Sequence, residues 1–384
     1  MNVQERAEAW VEELREQAPA IEAGRRVPQE LSDRLGADGF YRMLVPESLG
    51  GAEVHPRTFA ATLSTLARGD GATGWLAMTG STTGLLTAYL PEEGARAVLE
   101  GPSHAALAGV FAPSGRATPT DGGYRLSGRW AFGSGCENAR WRVGGALVFE
   151  GDAPRKLPSG APEIRSFFFR ASESAVEDTW RTAGLRGTGS HHMSVEDVFV
   201  PAERSTCILA DVPSHPGALY RFPVFGLLAT GVASVGLGIA RQALELGLAM
   251  AKSKRSRGGG KLMGESEIVQ VELATAEGEL GAAEAFLWST LDAAWTRAEG
   301  TEEPLAEDER ARLRLAATHA ARAAAAVTDR VYHLCGGASI WDSNPLSRCF
   351  RDVHVMTQHV MVSPATLKPI GRIALGLPTD SAML

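Results

Sequence analysis

Hydrophobic and polar positions alternate with different periods in three regions of the chain. In residues 4–104 the apolar side chains Leu31, Leu35, Phe40 and Leu44 recur at helical spacing. Two more helices are predicted, over Pro56–Arg68 and Ala72–Tyr89, separated by glycine. The first region is therefore predicted to be helical.

Residues 105–207 have a shorter period, in short β-rich runs separated by turn residues. These runs are Tyr124–Phe132, Trp141–Phe149, Arg165–Arg170 and Met193–Val200. Several short strands with turn signals between them predict a compact β-sandwich or barrel.

Residues 221–384 return to helical spacing, with predicted helices over Val232–Lys252, Glu265–Ala298 and Ala306–Leu334. A fourth begins at Asn344-Pro345 and carries an apolar stripe that extends to Val360. Four long helices indicate a bundle. His359 is thereby predicted to lie on the last helix.

One strand ends in a segment suited to a flat ring. Tyr124, Leu126, Trp130 and Phe132 fall at even spacing, which predicts one face of a strand. The strand runs into Gly133-Ser134-Gly135, where two glycines leave the backbone bare around one hydroxyl. This pattern favours a planar cofactor without naming it.

Composition and charge exclude few classes. The net charge of -7 disfavours nucleic-acid binding, which usually needs a basic face. The N-terminus is charged and lacks the apolar core of a signal peptide. The uncharged run 222–240 contains four glycines and continues into a helical pattern, so it predicts a buried helix and not a membrane span.

The cysteines and histidines suggest a reducing compartment and no metal site. The cysteines at 136, 207, 335 and 349 have no CxxC spacing, which predicts free thiols and a cytoplasmic location. No histidine has Cys, Asp or Glu partners at ligand spacing, so no metal is expected. Trp75 and Trp341 are predicted to pack in the core.

Five short motifs occur in a fixed order along the chain. They are VFAP (110–113), GRWAFGS (128–134), the segment 178–201, HLCGG (333–337) and Arg351-Asp352. With these motifs the chain resembles the acyl-CoA dehydrogenase superfamily of flavoproteins over nearly its full length. The resemblance implies an α+β multidomain fold. Its parts would be an N-terminal α-helical domain (1–104), a central flavin-binding β-barrel or sandwich domain (105–207) and a C-terminal four-helix bundle (221–384).

The same resemblance implies a set of flavin contacts. Phe132 matches the aromatic residue on the isoalloxazine, and Ser134 matches the hydroxyl residue near flavin N5. Val110 and Phe111 match the preceding flavin-contacting strand. The pyrophosphate contacts implied by the turn after the long helix are His333, Gly336 and Gly337. In the basic run 252–261, either Arg255 or Arg257 is implied to contact a flavin phosphate, although the family's phenylalanine is missing here.

A departure from the family pattern decides the subclass. The dehydrogenases carry a catalytic glutamate soon after the Arg-Asp pair. The ungapped position here is Val360, next to His359, and no Asp or Glu occurs between Asp352 and Asp380. The remaining pattern resembles the hydroxylase (oxygenase) component of two-component flavin-dependent monooxygenases.

The implied reaction uses reduced FAD or FMN, with FAD favoured, from a separate flavin reductase. Reduced flavin and O2 would form a C4a-hydroperoxyflavin that hydroxylates an aromatic or polycyclic small molecule. Ser134 is the candidate donor near N5 and C4a. His359 is the candidate acid or base, because an ordinary histidine pKa lies near neutrality. Family members of this kind form homotetramers whose cofactor sites straddle subunits.

Two other functions stay open at this point. An acyl-CoA dehydrogenase or oxidase could hold FAD and place its base elsewhere, with Glu265, Glu267 or Glu272 as substitutes. A flavin-binding scaffold without catalysis would also keep the fold. Ser134 could be a turn serine and His359 a buried structural histidine, so each residue has a purely structural alternative.

Overall fold

The N-terminal third of the protein is helical, as predicted. The structure is a computed structural model that describes residues 1–102, 104–255 and 260–384. Five helices precede the sheet: α1 (Val3–Gly24), α2 (Gln29–Ala37), α3 (Pro56–Gly69), α4 (Gly71–Leu85) and α5 (Glu92–Leu99).

Helix α4 passes through the middle of the molecule, and all 15 of its residues are buried. Small residues make this possible, because a Cβ added at Gly74 would lie 2.7 Å from the Cβ of Ala67 on α3. The helix starts at a buried cap, where Asp70 Oδ2 accepts hydrogen bonds from the backbone N–H and the hydroxyl of Thr73, both at 2.8 Å. Burial on every side fixes the side chains that α4 presents to the sheet and the bundle.

The central region forms one eight-stranded sheet, which is antiparallel except where β1 pairs with β3. The sheet order is β6-β7-β2-β1-β3-β5-β8, with β4 paired to β3. The strands are β1 (Ala106–Thr120), β2 (Gly123–Gly133), β3 (Ala139–Glu150), β4 (Ala153–Pro154), β5 (Ile164–Arg170), β6 (Ala175–Glu177), β7 (His191–Pro201) and β8 (Ser205–Thr206).

The C-terminal region is a helical bundle in which two long helices, Val224–Ser253 and Glu307–Cys335, pack side by side. Its helices are α6 (Ala218–Arg221), α7 (Val224–Ser253), α8 (Glu267–Gly300), α9 (Glu307–Cys335), α10 (Pro345–Met356) and α11 (Leu367–Ala374). Helix α7 also packs against α3 and α4, so a single core joins the N-terminal helices to the bundle. By length and composition α7 could cross a membrane, yet 83% of its most apolar window is buried inside the protein.

Two helices end earlier than their apolar patterns predict. Helix α2 ends at Ala37, and Phe40 and Leu44 are buried in the turns that follow, because Gly39 takes a φ of +87°. Helix α10 ends at Met356, so His359 lies on a short 3-10 turn and Val360 is exposed. The helical, β, helical order is confirmed, and the boundaries 1–104, 105–207 and 221–384 stay predictions.

The face predicted for strand β2 is wrong at its end. Leu126 and Trp130 are completely buried, but Phe132 is 69% exposed. The pairing with β7 slips between Trp130 and Gly133, and Phe132 itself has a φ of +67°. This irregularity turns the Phe132 ring away from the buried side of the strand and into solvent.

Candidate active site

The hydroxyl of Ser134 is held by a tryptophan on α4. Trp75 Nε1 donates a hydrogen bond to Ser134 Oγ over 3.0 Å, and both side chains are buried. The sequence predicted only core packing for Trp75, but its side chain also donates this hydrogen bond. It fixes the one polar side chain at the end of β2. Trp341, the other tryptophan predicted to be in the core, is 65% exposed.

Ser134 continues into a chain of hydroxyls. Its Oγ lies 2.7 Å from Ser190 Oγ, and that oxygen lies 2.7 Å from Thr188 Oγ1. Thr188 Oγ1 donates to the carbonyl oxygen of Leu185 at 2.8 Å. An indole N–H only donates and a carbonyl oxygen only accepts. The chain therefore has four protons for four bonds and one direction, from Trp75 to Leu185.

The direction of the chain determines what Ser134 can offer. Its proton is committed to Ser190, and one lone pair accepts from Trp75. The free direction of Ser134 Oγ is therefore an acceptor, whereas the sequence predicted a donor. A free acceptor fits the N5–H of a reduced flavin, since N5 of an oxidised flavin would require a donor instead.

The two glycines beside Ser134 allow close packing and do not leave the backbone open, contrary to what the sequence had suggested. A Cβ at Gly135 would lie 2.1 Å from the Leu76 Cδ1 of α4, and Gly135 has a φ of +70°. A Cβ at Gly133 would lie 3.1 Å from the carbonyl oxygen of His191. Close packing of β2 against α4 and β7 is thus the physical reason for glycine at both positions.

His359 lies against the other side of Trp75. The two rings meet edge to face with centroids 5.5 Å apart. His359 Nδ1 accepts the backbone N–H of Met361 at 3.3 Å, which leaves the proton of the neutral ring on Nε2. Burial, and then the nearby cation of Arg314, lower the pKa of His359 to about 4. His359 is therefore neutral at pH 7.

The structure brings Ser134 and His359 together through Trp75. We call Trp75, Ser134, Thr188, Ser190 and His359 the ring site. Their donors and acceptors fit a reduced flavin, with Ser134 Oγ for N5–H and the His359 Nε2–H for an oxygen. Among the described residues no group of three His, Cys, Asp or Glu side chains could hold a metal ion.

The predicted aromatic and strand contacts lie on β1 and β2. Phe132 presents an open ring and meets only Trp180 edge to face, with centroids 6.2 Å apart. Val110 and Phe111 are half-buried on β1, where Val110 pairs with Gly144 of β3. Exposed Phe132 therefore offers an apolar face at the end of β2, two residues before Ser134.

The remaining predicted cofactor contacts lie elsewhere, at the C-terminal ends of α7 and α9. We call Lys254, Arg255, His333, Gly336 and Gly337 the distal corner. Lys254 Nζ donates to the Cys335 carbonyl at 2.8 Å, and Arg255 binds the Gly260 carbonyl. His333, Gly336 and Gly337 are exposed, and Gly336 has a φ of +59°. Arg257 lies outside the described residues.

The distal corner lies far from the ring site of the same chain. Arg314, next to His359, and His333 are 19 residues apart on one continuous helix. At a rise of 1.5 Å per residue that spacing is about 28 Å. The structure does not bring the two sets of residues together within one chain.

The glutamates considered as substitute bases lie near the distal corner or on the surface. Glu272 pairs with Arg330, which is 16 residues beyond Arg314 on α9. Glu265 and Glu267 are exposed at the start of α8. None of the three reaches the ring site, so a displaced base has no candidate among them.

Asp352 ties α10 to the loop that carries Thr188 and Ser190. Its Oδ1 accepts the backbone N–H of Leu185 at 2.5 Å, and burial raises the pKa of this carboxyl to about 7. Arg351 next to it pairs with Glu22 of α1 and donates to the Ala183 carbonyl at 2.9 Å. The Arg-Asp pair thus anchors the hydroxyl chain to the bundle.

Sequence reasoning missed Trp75, Thr188, Ser190 and Arg314 as site residues. Ser190 and Thr188 lie in a segment that the family resemblance had marked, but their link to Ser134 depends on the turn at Leu185, where φ is +47°. Arg314 carries no sequence signal, because in residues 310–315 three arginines alternate with apolar residues and nothing singles out one of them.

Comparison with known proteins identifies the family. The chain matches the N-terminal domain of acyl-CoA dehydrogenase over residues 2–100 and the C-terminal domain over residues 230–364. It is 35% identical to an indole-3-acetate monooxygenase of Acinetobacter baumannii, covering 96% of this chain and 93% of the relative. It is 31% identical to the oxygenase component of an FADH2-dependent resorcinol hydroxylase of a Rhizobium species, covering 95% and 91%.

The fold is shared with a solved hydroxylase. The crystal structure of the 3-HSA hydroxylase from Rhodococcus sp. RHA1 superposes with a TM-score of 0.90 at 27% identity, covering 100% of this chain and 99% of that one. The sequence match, the shared fold and the absence of the dehydrogenase glutamate point the same way. The chain belongs to the acyl-CoA dehydrogenase superfamily and, within it, to the oxygenase components of flavin-dependent monooxygenases.

Proposed function

We propose that this chain hydroxylates a small aromatic molecule at the ring site, with reduced flavin from a separate reductase. The observation that carries the proposal is the one-way hydrogen-bond chain from Trp75 to Leu185. It leaves Ser134 with a free lone pair, which suits the N5–H of reduced flavin. When bound, reduced flavin supplies the activation of O2 and the oxygen atom that is transferred.

The residues of the ring site then have separate tasks. Ser134 orients the flavin by accepting N5–H, and Trp75 fixes Ser134. His359 enters the reaction neutral and donates a hydrogen bond from Nε2. A proton that reaches the ring produces a cation that both burial and Arg314 disfavour. Such a site can donate and accept a proton near the transferred oxygen, and its burial excludes water.

The flavin contacts that we assign extend from β1 and β2 to the bundle. Phe132, Val110 and Phe111 would line the flavin ring. Arg255, His333, Gly336 and Gly337 would bind phosphate. Because they lie about 28 Å along α9 from the ring site, we propose that they serve the flavin of a second copy in a homotetramer.

FAD is favoured over FMN because the resorcinol hydroxylase relative is named FADH2-dependent. We place the enzyme in the cytoplasm, where the four free, buried cysteines would stay reduced. We expect no metal in the reaction. The unit boundaries 1–104, 105–207 and 221–384 are part of the same proposal.

The test is oxygen consumption coupled to product formation. The protein is mixed with FAD or FMN, a flavin reductase with NADH, and a panel of phenols and indoles. We expect hydroxylated product that depends on the protein and carries one atom from ¹⁸O2. Absence of labelled product across the panel, with bleaching of bound oxidised FAD by an acyl-CoA, would instead establish a dehydrogenase.

A further inference from the structure

Three arginines are almost fully buried among the described residues: Arg142, Arg314 and Arg348. Arg142 donates to the Cys136 carbonyl and to the Ser174 hydroxyl, at 2.9 and 2.7 Å. Burial raises the pKa of Asp70 and Asp352, and the charge of Arg348 lies close enough to oppose that rise in both carboxyls.

Arg314 differs from the other two because no described acidic side chain compensates it, whereas the charge of Glu137 opposes the lowering of the Arg142 pKa by burial. It forms no ion pair within 4 Å, and burial alone lowers its pKa to about 10. A buried cation without a counter-ion is costly, and proteins pair such charges unless a ligand does so. Arg314 is therefore a positive charge held in place without its partner.

One edge of the guanidinium is unused. Arg314 Nη1 donates to the Phe225 carbonyl at 3.0 Å. Nε is completely buried without a hydrogen-bond partner, and Nη2 bonds to no described residue. Nε and Nη2 together form the side of arginine that matches a carboxylate with two parallel bonds.

This protein uses that same edge for carboxylates elsewhere. Arg129 holds Glu177 through Nε and Nη2, both at 2.8 Å. Arg155 holds Glu163 in the same way, at 2.6 and 3.0 Å. The free edge of Arg314 is thus a carboxylate site without its carboxylate.

The position of Arg314 connects this site to the chemistry. Its Nη1 lies 3.9 Å from the sulfur of Met361, whose backbone N–H is bound by His359. The surrounding core is mostly closed, but Trp75, Thr79 and Leu228 retain 7 to 8% of their surface, on the sides of α4 and α7 where Phe225 also lies. Arg314 therefore lies next to His359, and side chains of α4 and α7 near the ring site keep a small accessible surface.

We propose that Arg314 binds the carboxylate of the substrate through Nε and Nη2, so that the enzyme selects an aromatic acid over a neutral aromatic molecule. The identity of the substrate as the hydroxylated aromatic rests on the function proposed above. The anion site itself rests on the geometry of Arg314. The acid would replace a missing internal counter-ion and leave its ring on the side of His359 and Trp75.

Binding without turnover tests this site independently of hydroxylation. The full-length protein is loaded anaerobically with reduced FAD and titrated with indole-3-acetate or indole-3-acetamide, which have the same ring and differ in charge. The same comparison is made with 4-hydroxyphenylacetate and its amide. We expect each acid to bind about 10- to 100-fold more tightly than its amide, as for a charged bidentate pair.

Three variants locate the preference. Arg314→Gln should bring the acid-to-amide ratio close to one, and Arg314→Lys should restore part of it. Arg312→Gln removes a charge from the exposed side of the same helix and should leave the ratio unchanged. If Arg314→Gln does not fold, the ratios of the wild type and of Arg314→Lys still decide the question.

A second readout would not respond to a purely structural arginine. Among the residues that the structure describes, Arg314 is the one charged side chain that shifts the pKa of His359. A bound carboxylate should neutralise that effect, so NMR should show the pKa of His359 rising with indole-3-acetate and not with the amide. Equal binding of acid and amide by the wild type would overturn the proposal. So would an Arg314→Gln variant that loses reduced FAD but keeps the acid preference.

The two proposals fail in different ways. An acid preference that depends on Arg314, without any hydroxylated product, would retain the anion site and reject the monooxygenase function. Product from neutral aromatics without an acid preference would do the reverse.

Discussion

The ring site and the distal corner differ in how completely one chain builds them. Trp75, Ser134, Ser190 and Thr188 are buried and connected by hydrogen bonds of 2.7 to 3.0 Å. His333, Gly336 and Gly337 are exposed, and a Cβ added at either glycine would touch nothing within 4 Å. The polar groups of the ring site are thus pre-organised within the chain, while the proposed phosphate contacts at His333, Gly336 and Gly337 are open to solvent.

This difference follows from packing. The ring site lies where α4, the end of β2, the segment before β7 and the turn after α10 meet, so packing restricts its polar side chains. The distal corner lies at two helix ends, where the carbonyls of Cys335 and Gly260 accept hydrogen bonds from Lys254 and Arg255. We therefore expect substitutions at the ring site to change the reaction and substitutions at the distal corner to change flavin affinity.

The largest effect is expected from His359→Asn. Asparagine can still accept the Met361 N–H as a turn cap, but it cannot carry a proton as imidazole does. Product formation should fall about 10²- to 10⁴-fold, the usual contribution of a proton-handling residue. Flavin binding should be unchanged. The control is His354→Asn on helix α10. It removes a contact to Asp329 of α9 and should retain most activity.

Arg255→Gln tests the other region and should act on binding alone. Loss of one phosphate contact should weaken flavin binding about tenfold and reduce its dependence on salt. Product formed per bound flavin should stay at the wild-type level. A loss of product at saturating flavin would show that the two regions are not functionally separate.

Ser190→Ala reverses the polarity of the ring site without touching the flavin. Ser134 would lose its acceptor and could turn its proton outward, towards N5 of oxidised flavin. The preference for reduced over oxidised flavin, measured as a ratio of dissociation constants, should fall about five- to tenfold, as for one hydrogen bond. Ser194→Ala, on strand β7 four residues beyond Ser190, is the control. An unchanged ratio would remove the directional chain from the mechanism.

Asp352→Asn should have the smallest effect, on the pH dependence of stability. The folded pKa of Asp352 is raised to about 7, above its value in the unfolded chain. The folded state therefore binds more protons between about pH 4 and 7, and stability falls as the pH rises through that window. The variant lacks this loss, so its melting temperature should gain on the wild type by a few degrees from pH 4.5 to 8.

The sequence predicts the fold better than the site. Because burial follows the helix and strand periods, these periods located α3, α4, β2, β3 and the three long bundle helices to within a few residues. The exception is the start of α7, which lies eight residues earlier than predicted. Even spacing failed at Phe132, where a register slip and a positive φ turn the side chain outward. Irregularities of this kind cannot be detected in an apolar pattern that repeats every two residues.

The contacts that define the ring site are long-range. Trp75 and Ser134 are 59 residues apart, and Ser134 and Ser190 are 56 residues apart. The family resemblance identified Ser134 and His359, but neither their link through Trp75 nor the uncompensated charge of Arg314 can be seen before the helices pack. Asp352 shows the same limit, since its partner Leu185 lies 167 positions away.

The most direct test is a single turnover of Ser134→Ala beside the wild type. Each protein, loaded with one equivalent of reduced FAD and an aromatic acid, is mixed with O2, and hydroxylated product and hydrogen peroxide are counted per flavin. We expect product to dominate for the wild type and peroxide to dominate for the variant, with reduced FAD still bound. Equal product yields from the two proteins would contradict a catalytic role for the ring site.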